Sequence, residues 1–410
     1  MNDRKNIVFV NRFYWPDEPA TAQLLTDLAE SLVVAGHTVN IVTSQPANPP
    51  LPTYEAHNGV LIHRVPGLRF KHNNVLLKAL AFLSFARGAL RTIDTMLKPG
   101  DVLVVMTDPP LLGVFAASLA RKRGAHLVHW LQDVYPEIAM AVGGAWFARI
   151  FRSKRDRAWQ AADVCVAPGE DIADLVRAHG ANPATVLVSP NWAPAGLEAM
   201  PANAADALRR DWGLTGKFIV MYSGNLGRVH DLHPVLAIAE ELRGETDIVF
   251  LFVGGGAQRA CLQATAERRG LRNVIFKPAQ PRHRLGLTLA LANIHLVTLR
   301  TGCEQLVFPS KIYGITAVGR PVLYIGPKNC ELARTVEIKG FGRSFARGET
   351  KSAIQTILHL RHAPTDCVRM SKTALAFSQE TGGLSAAVST WDRLLNGLKS
   401  LAPASPPPQK

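Results

Sequence analysis

Short runs of β-branched and aromatic residues alternate with longer stretches of helical periodicity from one end of this chain to the other, and that rhythm is the mark of parallel βαβ units. "NIVFVN" (6–11) reads as a buried strand, followed by a helix over "TAQLLTDLAESLVVAGH" (21–37) that stops at Gly36. The strands "TVNIVTS" (38–44), "GVLIHRVP" (59–66), "DVLVVMT" (101–107), "AHLVHWLQD" (125–133), "DVCVAP" (163–168) and "ATVLVSPN" (184–191) complete one doubly wound sheet. The rhythm lapses in the Pro/Ala-rich "WAPAGLEAMPANAADALRRDWGL" and then begins again. Its second set is "KFIVMYSG" (217–224), "DIVFLFVGG" (247–255), "NVIFKPA" (273–279), "IHLVTLR" (294–300), "PVLYIGP" (321–327) and "GRSFA" (342–346). With 410 residues available, each half can bury a core of its own. The boundaries read as 1–198 and 199–385, a helix at 386–400 returning to the first half, and a disordered Pro/Ser tail at 401–410. Ligands in such sheets bind beyond the carboxyl ends of strands, so the expected site is a cleft between the halves.

Two stretches of the second half carry chemistry. "YSGNLGRVHDLHPVLAIAEEL" (222–242) is a strand, a glycine-bearing turn and an amphipathic helix. Gly224 and Gly227 let backbone amides approach an anion, the helix presents its positive end, and Arg228 adds a fork of donors. The spacing fits neither G-x-G-x-x-G nor the P-loop, which turns the reading away from dinucleotides and ATP hydrolysis. "FVGGG" (252–256) closes the next strand with three glycines and by itself says less.

In "VFPSKIYGITAVGRPVLYIG" (307–326), Pro309 and Ser310 suit a helix start, Ser310 as an acceptor for free amides. Lys311 then falls in the first turn, where the helix dipole disfavours a cation. A bound diphosphate would remove the misfit; a solvated lysine is the plainer alternative.

These residues, taken with "FVGGGAQRACLQATAERRGLRNVIFKPAQPRHRL" and "CELAR", resemble the nucleotide-sugar half of the family-4 glycosyltransferases, retaining enzymes of the two-Rossmann GT-B type. The first half agrees in "RFYWPDEPATAQLLTDLAESLVVAGHTVNIVTS" and in "HWLQDVYPE" (129–137), which is similar to the Trp-x-x-Asp-x-x-Pro-Glu segment of the colanic-acid and N-acetyl-fucosamine-type subgroup that builds exopolysaccharide and O-antigen repeats. The resemblance spans residues 6 to about 397. It implies an α/β fold of two Rossmann-like doubly wound parallel-sheet domains facing across a cleft. It also implies a nucleotide-diphosphate sugar as donor and a polyprenyl-diphosphate-linked saccharide as acceptor.

By the same resemblance Arg228 and Lys311 match the family's basic pair on the donor diphosphate, Gly224 and Asn225 the loop beside it, Gly254 and Gly255 the next glycine turn, and Ser310 the residue before the lysine. Glu331 and Leu332 match the acidic residue and backbone near donor sugar and phosphates. The chain departs from the family where relatives carry two glutamates eight positions apart, since Leu306 and Gly314 stand there. Ribose is then left to Glu304, Glu331 or backbone. Charge developing on a leaving diphosphate is stabilised by fixed cations, the role of Arg228 and Lys311. No Asp-x-Asp metal motif occurs in the sequence, so neither cofactor nor metal is expected. From the first half Asp133, the third catalytic candidate, and Glu137 would face sugar or acceptor, with His129 weaker. Asp17 and Glu18 either contact the acceptor or cap the first helix.

The formal net charge is +14, and the second half holds nearly all of it: residues 1–199 contain 19 Lys/Arg against 17 Asp/Glu, residues 200–410 contain 27 against 15. Anionic ligands account for such a balance. Between Glu55 and Asp94, Arg64, Arg69, Lys71, Lys78, Arg87 and Arg91 flank or interrupt the apolar "VLLKALAFLSFARGAL" (75–90), and "ARIFRSKRDRAW" (148–159) adds a second basic patch. Together they suit docking on an anionic membrane surface, although a buried helix with basic flanks fits as well. The N-terminus enters a strand without an apolar leader and no run approaches about 20 apolar residues, so a cytoplasmic protein, peripheral at most, is expected. Five widely spaced cysteines read as reduced core residues. Two other readings are a non-catalytic nucleotide-sugar-binding subunit, prompted by Gly314, and a nucleic-acid-binding protein, which lacks any recognition module.

Overall fold

Ile7, Val8, Phe9 and Val10 are wholly buried, because their strand lies between two parallel neighbours with helices over both faces. Such a strand needs an unbroken apolar run rather than an alternating one, which is why the sequence displays it plainly. The structure, a computed structural model, describes residues 6–46, 50–67, 75–143, 146–201 and 203–400. The predicted tail at 401–410 lies outside the described residues, as do Arg69, Lys71 and the side chain of Lys78.

The chain divides into two units. Unit 1 comprises the described residues up to Asn191 and those from Leu384 onward; unit 2 is Trp192–Gly383. In unit 1 the strands are β1 (Asn6–Val10), β2 (Thr38–Ser44), β3 (Tyr54–His57), β4 (Val60–Val65), β5 (Val102–Met106), β6 (His126–Trp130), β7 (Val164–Ala167) and β8 (Val186–Val188). Their order across the sheet is β3-β4-β2-β1-β5-β6-β7-β8, all parallel except the edge strand β3. The sequence reading omits β3, whose "YEAH" is polar and half exposed. Its turn carried the signal, since Asn58 and Gly59 both take positive φ (48° and 80°), the geometry an Asn-Gly hairpin supplies.

Unit 2 holds β9 (Phe218–Ser223), β10 (Ile248–Val253), β11 (Val274–Lys277), β12 (Ile294–Thr298), β13 (Val322–Ile325) and β14 (Gly342–Phe345). Their order is β11-β10-β9-β12-β13-β14, parallel throughout. The winding therefore reverses between β1 and β5 in unit 1 and between β9 and β12 in unit 2, and carboxyl-end loops at such points diverge to leave a crevice.

The helix Gly383–Ser400 packs on unit 1. Trp391 lies 5.0 Å, ring to ring, from Trp130 and 6.0 Å from Phe9, and His37 Nε2 is 2.7 Å from Asp392 Oδ1. Among the described residues no helix is long and apolar enough to cross a membrane. All five cysteines are free, but Cys261 is exposed on a helix surface rather than in a core.

Candidate functional site

The turn that leaves β9 lies against the turn that leaves β10. Gly224 N–H donates to Val253 O at 2.9 Å and Leu226 N–H to Gly255 O at 2.7 Å. A Cβ on Gly254 would stand 2.1 Å from Gly224 O, and one on Gly256 would stand 2.5 Å from Asn225 Oδ1. Gly254 and Gly256 are thus required by the close approach of the two turns, whereas a side chain at Gly255 would meet open space; Gly254 is buried behind the first turn, while Gly224, Asn225 and Gly255 face solvent. Arg228 is exposed further along the β9 turn.

Into this corner comes Lys311, the first residue of the helix Lys311–Ala317. Its stem is partly exposed, but its Nζ is shut off from solvent and makes no hydrogen bond. The ammonium sits 3.6 Å from the centroid of the Tyr222 ring and 3.6 Å from where a Gly224 side chain would begin. Burial pushes Lys311 down to about 7. The solvated-lysine alternative is therefore overturned: the ammonium is held inside, with no carboxylate partner among the described residues, beside an exposed glycine turn. Ser310 caps the helix only by position, since its hydroxyl accepts no amide, contrary to the expectation. His230 and His295 are each lowered to about 3, by burial first and with Lys311 contributing, and both stay neutral.

The remaining donor-side candidates are spread over neighbouring loops. Glu304 is half-buried in the turn after β12, and Glu331 opens the helix Glu331–Lys339 after β13. Glu331 is close enough to Tyr313 to raise its phenol further, after burial has done most of it. Leu332 is buried, so only its backbone could meet a ligand. The direction in which a Gly314 side chain would point leads to Leu197 Cδ1 at 3.4 Å and Leu289 Cδ1 at 3.5 Å, an apolar setting.

In unit 1, Asp133 follows β6 and is open to solvent; its N–H donates to Thr107 Oγ1 at 3.2 Å. Protein packed round its carboxyl and, secondarily, the Asp108 carboxyl push it up to about 6. Asp108, two residues past β5, is likewise raised to about 6 by burial, with the Arg12 guanidinium pulling the other way. Arg12 stands between the rings of Phe13 and Phe82, at 5.1 and 4.9 Å. The sequence reading missed Asp108 and Arg12. Their signal was position alone, directly after the two strands that flank the reversal.

The structure corrects several expectations for unit 1. Glu137 is not free to meet an acceptor: both oxygens are held by Arg155, at 2.7 and 2.8 Å, and Arg152 adds a third contact at 3.0 Å. His129 is buried, lowered to about 4 by that burial, and wedged beneath Gly113. It lines a cavity of about 40 Å³ with Asp133, Tyr135 and Trp159, room for a water or two. The first helix is capped at Pro19 with no side-chain bond, so neither Asp17 nor Glu18 caps it. In the basic patches, Arg64 and Arg155 are buried struts; Arg64 pairs with Glu55 at 2.5 Å and donates to the carbonyls of Pro52 and Trp15. By contrast Leu80, Leu83, Arg87 and Arg91 of the helix Val75–Met96 are all exposed, and at 100° per residue they share an arc of about 80°.

Residues 21–192 match the family model described as the glycosyl transferase 4-like domain, and residues 204–375 match that described as glycosyl transferases group 1. WcaI of Escherichia coli (strain K12), assigned to colanic acid biosynthesis as a glycosyl transferase, is 27% identical over 347 residues, covering 79% of this chain and 84% of the relative. Sucrose-phosphate synthase from Thermosynechococcus elongatus superposes with a TM-score of 0.80 at 16% identity, over 96% of this chain and 99% of the other. HepE of Anabaena, solved with UDP-glucose, does so at 0.72 and 14%, over 96% and 99%. At those identities the structural likeness speaks for the GT-B fold.

Proposed function

The chain belongs to the glycosyltransferases whose 4-like and group 1 domains fill its two halves, and from that premise we propose what it transfers and how. The donor is a nucleotide-diphosphate sugar, the acceptor a polyprenyl-diphosphate-linked saccharide, and the product a growing cell-surface polysaccharide. The relatives' printed roles, colanic acid synthesis in one and UDP-glucose binding in another, support the class of pathway and of donor.

One observation carries this reading: a buried ammonium without a counter-ion stands beside an exposed glycine turn at the carboxyl end of β9. Keeping a charge out of water is costly unless something anionic arrives, and a diphosphate lying on the Gly224–Asn225 turn would be that anion. As the sugar C1–O bond breaks, its electron pair goes to the diphosphate, and Lys311 and Arg228 stabilise the charge that develops there. The acceptor hydroxyl attacks from the same face and gives its proton to the leaving phosphate oxygen, which retains the anomeric configuration. Two cations and the turn amides meet the charge, so transfer proceeds without a metal. Ionised above about pH 6, Asp133 accepts a hydrogen bond from a sugar or acceptor hydroxyl.

Leu80, Leu83, Arg87 and Arg91 form an outward stripe, apolar at one end and cationic at the other, that suits the surface of an anionic membrane, where a polyprenyl acceptor would lie. The protein then acts at the inner face of the cytoplasmic membrane.

A thermal-shift screen with UDP, GDP, ADP and dTDP in EDTA tests the donor class: one nucleotide should stabilise the wild type and none should stabilise Lys311→Met. Proton NMR of the first product then reports the anomer. Stabilisation of the variant equal to that of the wild type, or an inverted product, would refute the corresponding part.

A further inference from the structure

A buried lysine is ordinarily matched by a carboxylate, and Lys311 is matched by the face of an aromatic ring. The Tyr222 ring lies 3.6 Å from its Nζ, and the same tyrosine donates its hydroxyl to Asn225 O at 2.9 Å. One side chain therefore touches both the cation and the backbone of the glycine turn. We infer that Tyr222 is a positioning residue for Lys311, holding the ammonium beneath the Gly224 turn in the donor-free enzyme while leaving its charge unneutralised for the incoming diphosphate.

The choice of a ring has a physical reason. A carboxylate at the same place would hold the lysine as well, but it would also repel a diphosphate and compete with it for the ammonium. The negative face of a ring attracts a cation through its quadrupole, more weakly than a full charge would, and is readily outbid by an anion. Tyr222 is itself fixed: it belongs to β9, it is wholly buried, and it packs edge-on to His230 at 5.8 Å and tilted against Phe252 at 6.2 Å.

A consequence follows for protons. Lys311, lowered to about 7 while the site is empty, is driven back toward its ordinary range when a diphosphate binds, so the site takes up a proton as it fills. The groups around it do not compete over the same interval. His230 is fixed by Thr298 O at 2.7 Å and His295 by Leu289 O at 2.9 Å, both titrating far below pH 6. The phenols of Tyr222 and Tyr313 are raised, chiefly by burial, and Glu331 adds to the rise at Tyr313.

The inference rests on the donor-binding role proposed for Lys311, and the test separates the two. Calorimetric titrations with UDP, GDP, ADP and dTDP, in buffers of differing ionisation enthalpy from pH 6 to 9, identify the tightest nucleotide and count protons. For the wild type, affinity should be level below about pH 7 and fall about tenfold per pH unit above it, with uptake approaching one proton near pH 8. Tyr222→Phe should keep this profile. Tyr222→Leu, or Tyr222→Met if the first does not fold, should move its midpoint to more acid pH and weaken binding about tenfold at pH 8. A wild type that takes up no proton, or a Tyr222→Leu protein with the wild-type midpoint and affinity, would overturn the inference. Lys311→Met binding as tightly as wild type would instead overturn the donor-binding reading itself.

Discussion

Arg155 in unit 1 and Lys311 in unit 2 are both cations with their charged ends out of water, and they are compensated in opposite ways. Arg155 grips Glu137 with two nitrogens, reaches Asp156 at 2.7 Å, donates to Tyr135 O and stacks 3.9 Å from the Trp159 ring. Lys311 has a neutral ring face and, among the described residues, no hydrogen-bond or ion-pair partner at its Nζ. A buried cation held by two carboxylates, a carbonyl and a ring is a strut, whereas one left without an anion has its charge to offer a ligand. The same contrast sets Glu137 and Arg64, each held in a buried ion pair, apart from Lys311, for which a donor-binding role is proposed.

If the contrast is right, neutralising each cation has opposite effects on the free protein. Arg155→Met strips the Glu137 carboxylate of its two buried donors and leaves it only the half-exposed Arg152, which should cost about 3 kcal/mol in urea unfolding. Lys311→Met should slow transfer at least about 100-fold, near 2.7 kcal/mol of lost transition-state stabilisation, measured with the nucleotide sugar of the base found in the thermal screen. The same Lys311→Met protein, relieved of an uncompensated buried charge, should be more stable than wild type without nucleotide by about 1–3 kcal/mol. Should both cations prove stabilising, the contrast collapses. On the acceptor side, Asp133→Asn should lower transfer about tenfold at pH 7 while leaving the nucleotide-induced thermal shift untouched.

The smallest effect sharpens the contrast through pH. Asp108 and Asp133 are raised to about 6, so these two carboxyls favour folding as the pH falls between about 6 and 4, and in unit 1 they offset the loss from buried His129, which is lowered to about 4. His230 and His295 are lowered, so unit 2 loses stability as the pH falls below about 6.5. Hydrogen exchange at pH 5 and pH 7 should show β9 and β12 losing more protection on acidification than β5. Asp108→Asn should diminish that difference.

Much of the architecture is legible in the sequence. The central strands are continuous apolar runs because both faces are covered, and the alternation of such runs with helical periodicity implies two doubly wound sheets. Lys311 betrays itself by standing where a helix dipole repels it. β3 stays hidden because it is a short polar edge strand, readable only from its Asn-Gly turn. The functional standing of charged residues is harder to read. Arg64 and Arg155 look like members of surface patches, since nothing local reveals that Glu55 and Glu137 fold over to meet them.

The order of residues was enough to specify two parallel sheets, their glycine turns and a lysine at an unfavourable helix position, because periodicity, turn chemistry and the helix dipole act over a few neighbouring positions. Which charges are buried, which are paired and which await an anion was settled by folding. Those properties depend on side chains brought together from strands and loops tens of residues apart, and a charge is neutralised or left exposed to a ligand only when they meet.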